Sequence, residues 1–156
     1  MEISHLRALR RGFALICIFA FIIIVQTPAQ KLGFRASYRW GHRWHKWCRW
    51  AIGMEVQVHG APSTDTQTLF ASNHVSYLDI PAIGSVLDAT FIAKAEIQNW
   101  PLFGLLCKLQ RTLFIERDRR KIREQREEMY RRLKEGDNLI LFPEGTSHNG
   151  TFVLPF

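Results

Sequence analysis

The sequence predicts an α/β fold, in which helices flank a mostly parallel sheet, and a membrane-anchoring helix pair that precedes it. Short apolar runs alternate with longer amphipathic stretches in the second half of the chain, which is typical of a parallel sheet covered by helices. Near the N-terminus, a long apolar run leads into a segment rich in tryptophan and arginine, which is typical of a membrane anchor. We therefore divide the 156 residues into an anchor, residues 1–60, and the beginning of an α/β domain, residues 61–156.

The first anchoring helix is predicted from residues 13–25, an unbroken apolar run that follows Arg7, Arg10 and Arg11. A membrane span needs roughly 20 apolar residues, so the predicted helix also takes in the more polar residues 26–29. A cleaved signal peptide has the same basic flank and short apolar core, and it is the alternative. No convincing small-residue cleavage site follows, which favours an uncleaved membrane helix.

The second anchoring helix is predicted over residues 32–54. Its tryptophans recur at intervals of four, three and three residues, which keeps them on one broad helical face, and basic residues lie between them. Indoles and arginines favour the headgroup level of a membrane, so we expect this helix to lie in the interface. The alternative is an aromatic stripe buried in a soluble core. The tryptophans concerned are Trp40, Trp44, Trp47 and Trp50.

Positive charge flanks the apolar run on both sides, so the positive-inside bias does not select an orientation. A hairpin that turns near Thr27 and Pro28, with both ends on the cytoplasmic side, satisfies the charges and the short run together. His42 and His45 lie three residues apart in the second helix. A metal site is one interpretation of this pair, and ordinary interfacial histidines are the favoured one.

Four short apolar runs, separated by three helical stretches, predict the sheet. Gly136 is expected to end the last helix. Functional sites of parallel sheets gather beyond the carboxyl ends of the strands, so side chains that follow the strands should share one edge. The predicted strands are residues 68–72, 90–93, 112–115 and 138–142, and the predicted helices are residues 78–87, 96–109 and 117–135.

His74 and Asp79 follow the first predicted strand and are the leading candidates for a catalytic pair. Imidazole titrates near neutral pH and can take a proton from a hydroxyl group, while a carboxylate on its other nitrogen fixes the tautomer. Positions five apart on a helix differ by about 140 degrees, so His74 is expected in a loop and Asp79 in the first helical turn, reaching back. The alternative is that Asp79 merely caps the helix, in a capping-box-like pattern with Ser76.

A Phe-Pro-Glu-Gly-Thr block at residues 142–146 follows the last predicted strand. Proline and glycine suit a turn that ends the strand, and the glycine also lets backbone N–H groups approach an anion. Lys94 and Arg117 each follow a strand near the same edge. A guanidinium group suits phosphate because its planar fork matches the oxygen atoms.

Taken in order, these blocks resemble the glycerolipid acyltransferase family, whose members acylate lysophosphatidic acid and related lipids. The resemblance rests on His-x4-Asp at residues 74–79, Phe-Ile-Glu-Arg at 114–117, the block at 142–146, and Val-Leu-Pro-Phe at 153–156, which looks like the opening of the family's fourth block. Family members continue well past that block. Residues 61–156 would thus be the N-terminal part of an acyltransferase domain, and we expect the chain to be truncated at its C-terminus.

The resemblance implies a catalytic pair and two groups of substrate-binding residues. It implies no cofactor, with acyl-CoA or acyl-carrier protein as the co-substrate, and no metal; a metal site of one histidine and two carboxylates is the alternative. The implied catalytic residues are His74 and Asp79, those that hold the acceptor are Glu144, Gly145 and Thr146, and those that hold phosphate are Lys94 and Arg117.

The chain departs from the lysophosphatidate enzymes at Ser147, where arginine commonly follows the Glu-Gly-Thr triplet. A small polar residue there, with the Val-Leu-Pro-Phe block, is similar to the bacterial enzymes that acylate lyso-ornithine lipid. The acceptor predicted first is 1-acyl-glycerol-3-phosphate, which would give phosphatidate, and lyso-ornithine lipid is the alternative.

Composition bounds the partners and the compartment. A net charge of +7 and a pI near 9.8 attract anionic surfaces and substrates, and three cysteines without paired or metal-type spacing fit a reducing compartment. We predict a membrane-bound O-acyltransferase at the cytoplasmic face of a bacterial inner membrane, with membrane lipids, an acyl donor and a lysophospholipid as partners and no nucleic acid. The alternatives are a non-catalytic basic binder of membrane surfaces or nucleic acid, and a lipid hydrolase, against which the missing Gly-x-Ser-x-Gly elbow counts.

Overall fold

The computed structural model describes residues 4–34, 37, 40–65 and 67–145. Two helices come first, and strands that alternate with shorter helices follow, which confirms the predicted α/β fold with its N-terminal helix pair. The helices are α1 (His5–Lys31), α2 (Trp40–Ile52), α3 (Asp79–Gly84), α4 (Phe103–Leu109) and α5 (Ile122–Lys134), and the strands are β1 (Leu69–Ala71), β2 (Thr90–Lys94), β3 (Leu113–Ile115) and β4 (Leu139–Leu141).

The four strands pair in the order β1-β4-β2-β3, and every pairing among the described residues is parallel. The central strand β4 lies between β1 and β2, and its residues Leu139 and Ile140 are completely buried. A strand covered on both faces needs a continuous apolar run, which is why the sequence indicates it clearly. The carboxyl ends of all four strands open at one edge of the sheet, as predicted.

Each face of the sheet has its own helical cover. On one face Ile92 and Leu139 pack with Met129 and Leu133 of α5. On the other face, the ring of Phe91 meets the imidazole of His45 in α2, with ring centroids 5.6 Å apart. Adjacent residues of β2 thus point to opposite faces, as the pleat of a strand requires. Helix α2 therefore covers the sheet as well as preceding it in sequence.

Two predicted helices are shorter in the structure than in the prediction. Residues 96–109 do not form one helix: a 3₁₀ helix (Ala95–Asn99) and α4 are separated at Trp100, whose backbone is extended because Pro101 follows it. Residues 78–87 give α3, which ends at Gly84, with hydrogen-bonded turns as far as Leu87. Short-range periodicity located both segments but not the break before proline.

The last predicted helix, residues 117–135, starts later than expected. The side chain of Asp118 accepts a hydrogen bond from the Arg120 N–H and caps a 3₁₀ turn, so α5 begins only at Ile122. At the other end the prediction is confirmed, because Gly136 follows the helix with a φ of +91°. That left-handed conformation is one that glycine adopts without steric cost.

The predicted turn near Thr27 and Pro28 is wrong, because α1 continues through both residues to Lys31. The polar residues of this segment instead form a tertiary contact. The amide Nε2 of Gln26 and that of Gln30 both donate to the Leu109 carbonyl at the end of α4, at 2.9 and 2.6 Å. The two glutamines that interrupt the apolar segment therefore hold α1 against the end of α4.

The predicted interfacial helix, residues 32–54, is observed as the shorter α2. Its four tryptophans do not share one lipid-facing surface: Trp44 is buried against Ile22 of α1 and Leu106 of α4, whereas Trp50 is 77% exposed. The prediction was wrong for Trp44. The middle of the tryptophan face of α2 packs on α1 and α4, and only the C-terminal end of that face is exposed. This cluster joins residues from both sides of the predicted boundary at residue 60, and that boundary stays a prediction.

Candidate active site

His74 and Asp79 meet directly at the carboxyl end of β1. The imidazole Nδ1 of His74 lies 2.9 Å from Oδ2 of Asp79. His74 lies in the loop after β1, and Asp79 is the first residue of α3, which is the arrangement that the five-residue spacing predicts. Because an ionised carboxylate only accepts hydrogen bonds, Nδ1 carries the hydrogen and Nε2 is left as the basic atom.

The Asp79 carboxylate is held by the backbone as well as by the imidazole. Its Oδ2 accepts from the N–H groups of Val75 at 2.7 Å and Ser76 at 2.9 Å. Partial burial alone would raise the pKa of Asp79, but the hydrogen bonds from Ser76, His74 and Val75 outweigh it and hold the pKa below the ordinary value. The carboxylate thus binds the backbone of the loop and the imidazole of His74 at the same time.

The loop after β4 supports the loop after β1, because the two strands are neighbours in the sheet. Glu144 accepts a hydrogen bond from the backbone N–H of His74, with 2.9 Å between Oε2 and N. Phe142 stacks on the His74 imidazole, with ring centroids 4.2 Å apart and an interplanar angle of 19°. Glu144 therefore holds the main chain of His74, and Phe142 holds the plane of its ring.

Gly145 and Arg117 form a second contact at the same edge. The Arg117 guanidinium Nη2 donates to the Gly145 carbonyl at 2.6 Å. Gly145 has a φ of +62°, and a Cβ there would press against that guanidinium. Glycine is favoured at this position by its left-handed backbone conformation, and a larger residue would also displace the Arg117 guanidinium.

The remaining predicted site residues are only partly located. Lys94 is the last residue of β2 at the same edge, and its side chain forms no hydrogen bond or ion pair with the part of the chain that the structure describes. Thr146, Ser147 and the block at residues 153–156 lie outside the described residues. The edge therefore gathers His74, Asp79, Glu144, Gly145 and Arg117, with Lys94 on the adjacent strand.

The two alternative metal sites find no support in the geometry. Within the described ranges, no group of three histidine, cysteine or carboxylate side chains is arranged to hold a metal ion. His42 and His45 face carbonyl oxygens and an amide of the protein, 2.9 Å from the Gly84 carbonyl and from the Gln110 side chain respectively.

Sequence reasoning missed two features of the site. The stacking of Phe142 on His74 depends on β1 and β4 being adjacent, which no local pattern reveals. The contact between α2 and α3 was also missed, although His42 and His45 were noticed. The sequence signal that could have indicated the stacking is the position of Phe142, directly after the buried strand β4.

Comparison with known proteins decides the family. A protein-family model described as Acyltransferase matches residues 55–156, which is most of the chain. The chain belongs to the acyltransferase family. This confirms the glycerolipid acyltransferase resemblance read from the sequence blocks.

Individual acyltransferases support the same assignment. The chain is 35% identical over 154 residues, 97% of its length, to a protein of Rhizobium meliloti named lyso-ornithine lipid O-acyltransferase. It is 41% identical over 106 residues, 67% of its length, to a protein of Neisseria gonorrhoeae named 1-acyl-sn-glycerol-3-phosphate acyltransferase. The crystal structure of the acyltransferase PlsC from Thermotoga maritima aligns with 96% of this chain at a TM-score of 0.62 and 26% identity.

The alignments cover only part of each relative. The chain spans about half the length of the curated acyltransferases that it matches, 52% of the Rhizobium protein and 41% of the Neisseria protein. It spans 64% of the PlsC chain. The matches to the Rhizobium protein and to PlsC, which cover 97% and 96% of this chain, include helices α1 and α2 and the edge that carries His74.

Proposed function

We propose that the chain forms the catalytic part of a membrane-bound O-acyltransferase that moves an acyl chain from a thioester to the hydroxyl of a lysolipid. One observation carries the proposal: the His74–Asp79 hydrogen bond of 2.9 Å, which directs Nε2 of the imidazole toward a substrate hydroxyl. Family membership supplies the reaction class. The neighbouring contacts from Phe142 and Glu144 provide the rigidity that a positioned base requires.

The proposed reaction is a direct transfer. Nε2 of His74 takes the hydroxyl proton while the hydroxyl oxygen attacks the thioester carbonyl carbon. The carbon–sulfur bond then breaks, and the leaving thiolate takes the proton from the imidazolium. The products are an ester and free CoA or acyl-carrier protein thiol, and no cofactor takes part. The ionised Asp79 stabilises the imidazolium in between.

The test of this proposal is an acyl-transfer assay on the full-length protein with His74→Ala. Loss of a general base typically lowers kcat by about 10²–10⁴-fold. His59→Ala is the matched control, because His59 is exposed and remote in sequence from the site. Undiminished transfer by His74→Ala would contradict the mechanism, while membrane association should be the same in both variants.

For the acceptor, 1-acyl-glycerol-3-phosphate is the first candidate, because Arg117 lies beside the Glu144 loop, where a phosphate would be expected. The N. gonorrhoeae relative carries the corresponding name. Glu144, Gly145 and Thr146 would contact the glycerol part, with Lys94 assisting at the phosphate. The chain has Ser147 where an arginine could also bind the phosphate, so Arg117 would be the main phosphate-binding residue.

Lyso-ornithine lipid is the second candidate, and two observations favour it. The chain aligns over 97% of its length with the R. meliloti lyso-ornithine lipid O-acyltransferase, anchor included. Arg117 already donates to the Gly145 carbonyl, so its guanidinium has a role in shaping the loop that needs no phosphate.

Direct competition separates the two acceptors. Purified enzyme is offered both lysolipids with one acyl donor, and the products are quantified. If lysophosphatidate is the acceptor, Arg117→Ala should raise its apparent KM roughly 10- to 150-fold, the equivalent of about 1.5–3 kcal/mol for a charge-assisted hydrogen bond. A preference for lyso-ornithine lipid would replace the first candidate and leave the chemistry at His74 unchanged.

We further infer that the enzyme works at the cytoplasmic face of a bacterial inner membrane. Helix α1 is long and apolar enough to cross a membrane, by length and composition, and only 6% of its most apolar window is buried. Its C-terminal half packs on α4 through Ile22 and Gln26, which supports insertion into one leaflet over a full crossing.

The basic end of the anchor supports the same placement. A cavity of about 470 Å³ between the start of α1 and the end of α2 is lined by Arg7, Arg10, Arg11 and Trp50, a composition suited to the headgroup level. Both ends of the helix pair would then lie on one side. Impermeant reagents applied to single-cysteine variants at position 4 and at position 55 test this: labelling from opposite sides of the membrane would contradict it.

A further inference from the structure

Helix α3 links the catalytic carboxylate to the anchor. It has only six residues, Asp79–Gly84, and its first residue is the partner of His74. So short a helix is not stable by itself, so its direction is set by what holds it. Asp79 and Gly84 are separated by about 7.5 Å along the axis, at 1.5 Å per residue. A tilt at the Gly84 end therefore moves the Asp79 carboxylate.

The far end of α3 is bonded to α2. Nδ1 of His42 lies 2.9 Å from the Gly84 carbonyl oxygen and 3.2 Å from that of Leu87. Because both neighbours are carbonyls, Nδ1 must carry the hydrogen and donate it. Nearly two turns after His42, Arg49 donates from Nη1 to the hydroxyl of Ser85 at 3.2 Å. The anchor helix thus supplies donors to the end of α3, where carbonyl groups lack helical partners.

Close packing fixes the distance between the two helices. The His45 ring lies against Gly84, where a Cβ would overlap the imidazole. That ring cannot easily swing away, because it is stacked on Trp44, faces Phe91 and bonds to Gln110 at 2.9 Å. His45 is 5% exposed. Glycine at the end of α3 is therefore the condition for the His42 contact.

We infer that His42 of the anchor helix is a positioning residue for the His74–Asp79 pair and acts on it through α3. The inference rests on the proposed function of that pair. Membrane attachment orients α2, α2 holds the Gly84 end of α3, and α3 presents Asp79 to His74. The anchor would then contribute to turnover as well as to location.

The test uses full-length protein with His42→Ala and with His42→Asn, whose amide N–H can replace Nδ1–H. His42→Ala should lower kcat roughly 10- to 100-fold with little change in the KM of either substrate, because small misplacements at a reacting centre have effects of that size. His42→Asn should recover most of the loss. His59→Ala, an exposed histidine, is the control. Unchanged kcat in His42→Ala, or no recovery in His42→Asn, would overturn the inference.

A double-mutant cycle excludes a merely structural effect. If His42 acts through Asp79, adding His42→Ala to Asp79→Asn should lower the residual kcat much less than His42→Ala does alone. Equal factors in both backgrounds would overturn the inference. If His74→Ala keeps full activity, the proposed function fails instead, so the two failures are distinguishable.

Gly84→Ala provides an independent route to the same contact. Its Cβ would force α3 away from the His45 ring without removing any donor. It should lower kcat at least as much as His42→Ala, in protein whose thermal midpoint shows that it is folded. Folded Gly84→Ala protein with unchanged kcat would also overturn the inference.

Discussion

His74 and His45 show how the same side chain can have contrasting surroundings in two regions of this molecule. His74 lies at the edge of the sheet, 17% exposed, with a carboxylate on Nδ1. His45 lies on the buried face of α2, 5% exposed, with an amide oxygen on Nε2. Burial lowers the pKa of His45 to about 4, so it stays neutral where the enzyme would work. His74 differs from His45 in having a partner that can stabilise positive charge.

The largest expected effect comes from giving His74 the kind of partner that His45 has. Asp79→Asn should lower kcat by about 10²–10⁴-fold, because the amide no longer stabilises the imidazolium. Its Oδ1 can still accept from the Val75 and Ser76 N–H groups, so folding should be retained. Single-turnover acyl transfer, with circular dichroism as the folding control, measures this; activity within threefold of the parent would remove the distinction between the two histidines.

The next effect concerns the pH dependence of stability at His45. Its pKa is about 4 when folded and 6.5 in the reference state, so the neutral form is favoured by folding. The corresponding stability is fully present above about pH 6.5 and is lost as the pH falls toward 4, by on the order of 3 kcal/mol. Thermal unfolding in detergent between pH 7 and 4 should show this loss in the parent and a flatter profile in His45→Gln.

The pH range in which Asp79 affects stability is lower than that of His45, so the two effects can be separated. Hydrogen bonds hold the pKa of Asp79 below its ordinary value of 3.8, so its contribution is present above that pH and is lost only at more acidic pH. A parent profile as flat as that of His45→Gln between pH 7 and 4 would contradict the assignment of the loss to His45.

The smallest expected effect is at Glu144, which supports His74 through the backbone. Glu144→Ala removes the acceptor of the His74 N–H and should lower kcat about 10-fold, since one hydrogen bond to a charged group is worth about 1.5–3 kcal/mol and water replaces part of it. Glu144→Gln keeps an acceptor oxygen and should stay within about threefold. If Glu144→Gln instead raises the acceptor KM as strongly as Glu144→Ala does, direct contact with the acceptor is the main role of this side chain.

The site was predictable where a motif and its spacing are local. The five-residue interval placed His74 in a loop and Asp79 in the first turn, and the apolar runs gave all four strands to within one or two residues at each end. The roles of the site residues stay predictions. The order of the sequence blocks along the chain correctly predicted the family.

The sequence failed where a residue's role depends on a distant neighbour. Gln26 read as a weakness in the apolar run, yet it bonds to Leu109, 83 residues away. Trp44 read as an interfacial residue, yet it fills a core with Leu106. His42 read as an interfacial residue, yet its Nδ1 bonds to carbonyl oxygens 42 and 45 residues further on. Local periodicity specifies which face of a helix is apolar and not what covers it.

The amide contacts from Gln26 and Gln30 to Leu109 bear on how a water-soluble form of this protein could be made. Cutting off α1 would strip the Leu109 carbonyl of both donors and uncover the apolar side chains that pack on Ile22. The sounder engineering route keeps α1 and replaces its outward side chains with polar ones. The side chains to replace are Leu6, Leu9, Phe13, Ile16 and Ile24, each more than half exposed.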